Sequence, residues 1–139
     1  MKKMLLYAVC VVSIAVITVL ILYFFRLDTR RNISFLKEYG WITEKNEIEI
    51  EEIIIPEVFD DVYINYNRLQ KQSGLDLEPY KGKKAVRYTY VVLNYPYDVG
   101  EEVRANIICV KGKPIAGDIM TLSLNGFMHS LKFPVSKEQ

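Results

Sequence analysis

Histidine is nearly absent from this chain and cysteine is scarce. The 139 residues hold one histidine, His129, and two cysteines, Cys10 and Cys109. No Cys/His spacing fits a zinc site, and the paired acids do not follow a calcium loop. Cys10 lies in an apolar run and Cys109 in an expected strand, so no disulfide framework is available and the fold has to rest on its core. The seven glycines are scattered at turns and form no phosphate-binding loop. No nucleophile elbow occurs, and the adjacency of His129 and Ser130 does not make a triad. The sequence therefore offers no catalytic, metal-binding or cofactor-binding residue, and no cofactor is expected. An excess of one charge is also missing. There are 18 basic and 17 acidic side chains, and with Lys2 and Lys3 set aside, residues 26–139 hold 16 and 17. That balance argues against nucleic acid as a partner.

What is present, above all, is a long apolar run. Met4 to Phe25 is 22 residues without a charge. As a helix it spans about 33 Å, against a hydrocarbon core of about 30 Å. Fourteen of these residues are Leu, Ile, Val or Phe, which together favour insertion by roughly 4 to 8 kcal/mol. Ser13-Ile14-Ala15 is the only tolerable cleavage site, and ten more uncharged residues follow it. Tyr7-Ala8-Val9 before Cys10 is a poor lipoprotein signal. The run is expected to stay as a transmembrane anchor at 4–25, within an N-terminal segment 1–25, with the lipid bilayer as its partner. Flanking charge nearly ties: Lys2, Lys3 and the α-amino group on one side, Arg26, Arg30 and Arg31 less Asp28 on the other. A short tail before a first apolar segment has the form of a signal anchor, which places the N-terminus inside and the domain outside the cytoplasm.

Residues 26–31 read as a short connector, and 32–139 as one extracytoplasmic domain. Its 114 residues with the connector are enough to bury roughly two thirds of the unfolded surface. Asn32 is placed to cap a short helix from Ile33 to Tyr39, ended by Gly40. Glu47 to Ile55 alternates as a strand, with a phase break at Glu51-Glu52 that suggests a bulge. Pro56 is suited to open a helix of about 16 residues, with Phe59, Val62, Tyr63, Tyr66 and Leu69 on its apolar stripe. Asp60 and Asp61 read as helix N-terminal electrostatics. Strands follow at Ala85–Asn94, Val103–Val110 and Ile115–Leu124, and Phe127–Phe133 reads as a final short helix carrying His129 as a surface or interface residue. Glu49, Glu51 and Glu52 read as a solvated strand face. The expected fold is α+β: a two-layer domain with helices packed on an antiparallel sheet of about four strands, in the order helix, strand, helix, three-stranded meander.

The hairpin at Lys111-Gly112-Lys113 sets one further feature. A three-residue loop places Asp118 opposite Asn106, beside Arg104, on a polar face. A two-residue Lys111-Gly112 loop places it opposite Ala105 on the core face, where an unpaired carboxylate is costly. The first register is preferred on that ground.

Tyrosine is abundant, with ten residues. Tyr88, Tyr90, Tyr95 and Tyr97 lie on or beside one strand near Arg87. They read either as packing at the edge of a small core or as a surface for a protein or peptide partner. The residues that would carry such a surface are Arg87, Tyr88, Tyr90, Arg104, Asn106 and Asp118.

FLKEYGW at 35–41, IPEVFDDVYINYNRLQKQSGLDLEPYKGKKAVRYTY at 55–90, VRANIICVKGKPIAGDI at 103–119 and LNGFMHSL at 124–131 together carry a resemblance. They resemble a family of small membrane-anchored proteins of Gram-positive bacteria, catalogued as a domain of unknown function. The resemblance implies a bacterial setting and an anchor before an α+β domain. It implies no catalytic or binding residue. The functional expectation is a non-catalytic binding or regulatory module at the membrane surface. The alternatives are a hydrolase using dispersed carboxylates and a structural scaffold of a membrane complex.

Overall fold

The computed structural model describes residues 1–134. Val135 to Gln139, the end of the expected domain, lie outside the described residues. Helix α1 runs from Lys2 to Glu38, and is followed by β1 (Glu49–Ile54), α2 (Asp61–Gln72), β2 (Lys84–Val91), β3 (Arg104–Val110), β4 (Lys113–Met120) and β5 (Met128–Ser130). The five strands form one antiparallel sheet in sequence order, a plain meander.

Helix α1 is one unbroken element of 37 residues, about 55 Å long. Its first two thirds are the apolar run, of which Met4 to Phe24 are exposed, and the helix is long and apolar enough to cross a membrane. The expected connector at 26–31 is helical, and the separate helix capped by Asn32 does not form. No glycine or proline interrupts residues 26–38, so nothing stops the helix before Gly40, which adopts φ +91°. Asn32 is instead an interior residue. It and Leu36 are fully buried against the sheet.

Strand alternation places two sets of side chains on opposite faces. Tyr88, Tyr90, Ala105, Ile107, Cys109 and Ile119 pack with Leu36, Trp41 and Leu131 in one cluster under the end of α1. Ala85, Ile108, Val110 and Ala116 pack with Ile55, Leu77, Phe59 and Tyr66 in a second cluster under α2. The sheet thus carries a helix on each face. The α+β class and the antiparallel meander stand as expected. The layers number three where the sequence suggested two, because α1 is an element of the core as well as the apolar run.

Four local expectations are corrected. The β1–β2 ladder is continuous from Glu49↔Thr89 to Ile54↔Lys84, with no bulge at Glu51-Glu52. The phase break arises because Ile48 and Ile50 share the α1 face while Ile53 and Ile55 share the α2 face. Helix α2 starts at Asp61, not at Pro56. Ile55 remains bonded to the 82–83 loop through Ile55 N–H to Lys83 O and Gly82 N–H to Ile55 O. Asp60 then caps the helix by accepting from Tyr63 N–H at 2.9 Å. Residues 128–130 form a strand, not a helix: Ser130 pairs with Asp118 and Met128 with Met120. The fourth correction is the hairpin. Its turn has two residues, Lys111 (φ 50°) and Gly112 (φ 72°), between paired Val110 and Lys113. Both left-handed conformations match the twist of the flanking strands. Cys109 faces Pro114 while Ile108 faces Ala116, so Ile115 is an extra residue on β4. This bulge restores Asp118 to its place opposite Asn106.

Candidate functional site: a buried polar cluster and the groove above it

Asp118 lies under α2 and is 2% exposed. Its two carboxylate oxygens take different donors. Tyr66 O–H donates to Oδ2 at 2.7 Å, and Asn106 Nδ2 donates to Oδ1 at 2.9 Å. Asn106 Oδ1 accepts in turn from the Thr89 hydroxyl at 2.8 Å. The chain Thr89, Asn106, Asp118, Tyr66 therefore crosses β2, β3 and β4 and ends on α2. Burial raises the Asp118 carboxyl above its ordinary range, against the lowering effect of Tyr66 and Asn106. The Tyr66 phenol is held well above its usual value by burial and by the carboxylate it meets.

Gln70, also on α2, is fully buried. Its Oε1 accepts from Gly117 N–H at 2.8 Å, a donor that β5 stops too early to pair. Tyr66 and Gln70 thus fasten one helix face to β4 through two side-chain bonds. Above them, Val62, Tyr63, Asn65, Tyr66 and Leu69 of α2 and Met128 of β5 line an open, mainly apolar groove of about 560 Å³. Val62 and Met128 stand well exposed at its sides. Tyr66 is the one member of the polar chain that reaches this groove.

The other sheet face has its own groove, about 500 Å³, where α1 leaves the domain. Asp28, Glu52, Lys84, Tyr88, Lys111 and Gly112 are among its lining residues. Asp28 is paired with Arg31 at 3.5 Å and accepts from Tyr88 O–H at 3.4 Å. Burial, followed by Asp28, lifts the Tyr88 phenol to about 12. Deeper in, Asn32 Nδ2 donates to Tyr90 Oη at 3.1 Å, and the Cys109 thiol donates to Asn32 Oδ1 at 3.2 Å. Burial pushes the Cys109 thiol up to about 12, with Asp28 adding to the effect.

The six residues expected to form a partner surface do not share one. Tyr88 and Tyr90 lie beneath α1, while Arg87, Asn106 and Asp118 lie on the α2 face. Tyr88, Tyr90, Asn106 and Asp118 are buried. Arg87 is half-exposed and ion-paired to Glu51, and Arg104 pairs with Glu102 at 2.7 Å. The sequence reads His129 as a surface or interface residue of a helix, and the helix is what the structure overturns. His129 sits on β5, half-buried, with its ring stacked on Phe127 and its Nε2 3.2 Å from Tyr95 Oη. Trp41 and Phe133 complete this aromatic group, and Trp41 Nε1 donates to Leu131 O at 2.6 Å. Among the described residues, no group of three or more His, Cys, Asp or Glu side chains is placed to hold a metal ion.

The sequence reading missed Tyr66, Gln70 and Asn32 as polar anchors. Tyr66 had been placed on an apolar stripe, where its hydroxyl carries a signal of its own, since a buried tyrosine needs a partner for that group. Gln70 and Asn32 carry no comparable signal, because surface helices hold the same residues.

The geometry defines a class: an α+β domain built on an antiparallel meander and carried on a long apolar N-terminal helix. The chain belongs to the DUF4830 family, a domain of unknown function, whose model matches residues 35–119. The match begins in the last turn of α1 and ends on β4, so it covers the chain from Thr89 through Asn106 to Asp118 and Tyr66. No curated protein and no solved structure matches the chain.

Proposed function

We propose that this is a single-pass membrane protein whose domain is a non-catalytic binding or regulatory module at the membrane surface. The observation that carries the reading is the continuity of α1. Met4 to Phe24 of its apolar run are exposed, yet thirteen residues beyond that run are helical and include the fully buried Asn32 and Leu36. An apolar helix left uncovered by its own domain calls for lipid. In this reading the run is an uncleaved signal anchor in a Gram-positive bacterium, and the domain is extracytoplasmic. Because the helix enters the core without a flexible joint, the domain is held in a fixed attitude to the bilayer. Protease treatment of intact cells tests the sidedness. Loss of the domain is expected, and its survival until the membrane is opened would overturn the outside assignment.

Two observations support a binding role over catalysis. Both oxygens of Asp118, the one carboxylate among the described residues raised above its ordinary range, are occupied by protein donors. The groove over Tyr66 has apolar walls. Photo-crosslinker placed at Val62 is expected to yield a discrete membrane-protein adduct absent when the label sits at Lys71. Identical products at the two positions would contradict the groove as the contact surface.

The hydrolase alternative draws on one observation: two carboxylates, Asp28 and Glu52, line the groove under α1. Its test is the activity of purified protein on ester and glycoside substrates. Turnover abolished by both Asp28→Asn and Glu52→Gln would favour it. A purely scaffolding role would leave every groove variant without effect on complex assembly.

A further inference from the structure

A third groove, about 540 Å³, lies between α1 and the loop before β1. On the helix it is lined by Leu22, Arg26, Thr29 and Arg30, and on the loop by Lys45 and Glu47. Leu22, Arg26 and Arg30 are spaced four residues apart and so share one helix face. The Thr29 hydroxyl donates to Glu47 Oε2 at 3.0 Å, which fixes the loop against that face and engages the acid in the groove. The neighbouring acid, Asp28, is turned to Arg31, whose guanidinium also reaches Gly112 O on the hairpin. Arg26, Arg30 and Lys45 are exposed and have no carboxylate partner among the described residues.

We infer that this groove binds the phosphate of an anionic phospholipid headgroup. The inference rests on the proposed membrane anchoring of α1. In that setting Arg26 and Arg30 lie about 1.5 and 7.5 Å along the axis beyond residue 25. The interfacial layer of one leaflet is about 5–7 Å deep, so the Arg26 backbone lies within it and the Arg30 backbone at its outer edge, from where a side chain tilted toward the helix N-terminus reaches back to phosphate height. Leu22 is one turn lower, at the level of the acyl chains. Two forked guanidinium groups and one ammonium, brought together from a helix and a loop, suit a phosphodiester oxygen pair. A lipid is the source the geometry selects, because the groove joins Leu22 of the apolar span to the basic cluster.

Full-length protein is purified in mild detergent with equimolar phosphatidylglycerol and phosphatidylcholine, and retained lipids are counted by native mass spectrometry. Phosphatidylglycerol is expected in excess by at least about fivefold, the factor given by one basic residue at an anionic surface. The Arg26→Gln/Arg30→Gln/Lys45→Gln variant should fall to parity, and Lys71→Gln should keep the preference. Equal retention by the wild type, or an unchanged preference in the triple variant, overturns the inference. Displacement of the lipid by an equal concentration of inorganic phosphate would assign the site to a free anion and likewise overturn it. Flotation with pure phosphatidylcholine vesicles is read in parallel. Flotation without lipid preference overturns only the headgroup site, whereas failure to float overturns the anchoring as well.

Discussion

Tyr66 donates its phenolic proton to Asp118 across 2.7 Å, and this bond joins α2 to the fourth strand of the sheet. The carboxylate it meets is almost completely removed from water, which has a consequence for stability. Burial raises the folded-state value of Asp118 above the ordinary carboxylate value of about 3.9 in an unfolded chain. The folded state therefore holds the proton more tightly than the unfolded one. The stability this contributes is fully present below the ordinary value and is lost as pH rises through the raised folded value. Asp118→Asn removes the titration. Denaturant melts in detergent across that window should show the wild type losing stability relative to Asp118→Asn as pH rises. A wild type that gains on the variant would contradict the assignment.

Asn32 links α1 to the sheet by bonding Tyr90 and Cys109 together. Asn32→Ala leaves the buried Tyr90 hydroxyl without a partner, which should cost about 1–3 kcal/mol. Hydrogen exchange should rise over residues 28–38 while α2 stays protected. Unchanged exchange in the last turns of α1 would show that Asn32 is not what fastens the helix.

Gly117 packs tightly against β3 and against Leu131, the residue after β5. A methyl group there would lie 2.7 Å from Asn106 O and 2.9 Å from Leu131 Cδ1. Backbone cannot retreat as a side-chain tip can, so Gly117→Ala should destabilise by about 1–3 kcal/mol. A thermal midpoint equal to that of the wild type would remove the close approach from the account.

Cys109 is buried, and burial lifts its thiol to about 12. In a Cys10→Ala background, maleimide at pH 7 should leave the folded protein unlabelled and label it once in denaturant. Rapid labelling of the native protein would show that the cluster beneath α1 opens.

Much of the fold was legible in the sequence, for identifiable reasons. The apolar run is a composition signal that packing cannot obscure. The meander shows as β-branched and aromatic runs broken by Gly100 and by Lys111-Gly112. The register of Asp118 was legible through energetics alone, since only one alternative avoids an unpaired buried carboxylate. The route to it was not legible, because a bulge at Ile115 leaves no residue signature. Residues 127–131 misled because five residues are too few to separate a helical stripe from alternation. Phe127, His129 and Leu131 in fact share one sheet face. The candidate site was the least legible part. Tyr88 and Tyr90 look like a surface in a sheet with one solvated face. Both faces here are covered, and the residue pattern does not say that α1 continues far enough to cover the second.

In the proposed reading α1 remains attached and holds the domain to the bilayer. The most direct measurement is the intact mass of the protein recovered from carbonate-washed membranes. A membrane-retained species that keeps the 16.2 kDa of the 139-residue chain is expected. A soluble species, or one shortened by removal of the apolar run, would contradict it.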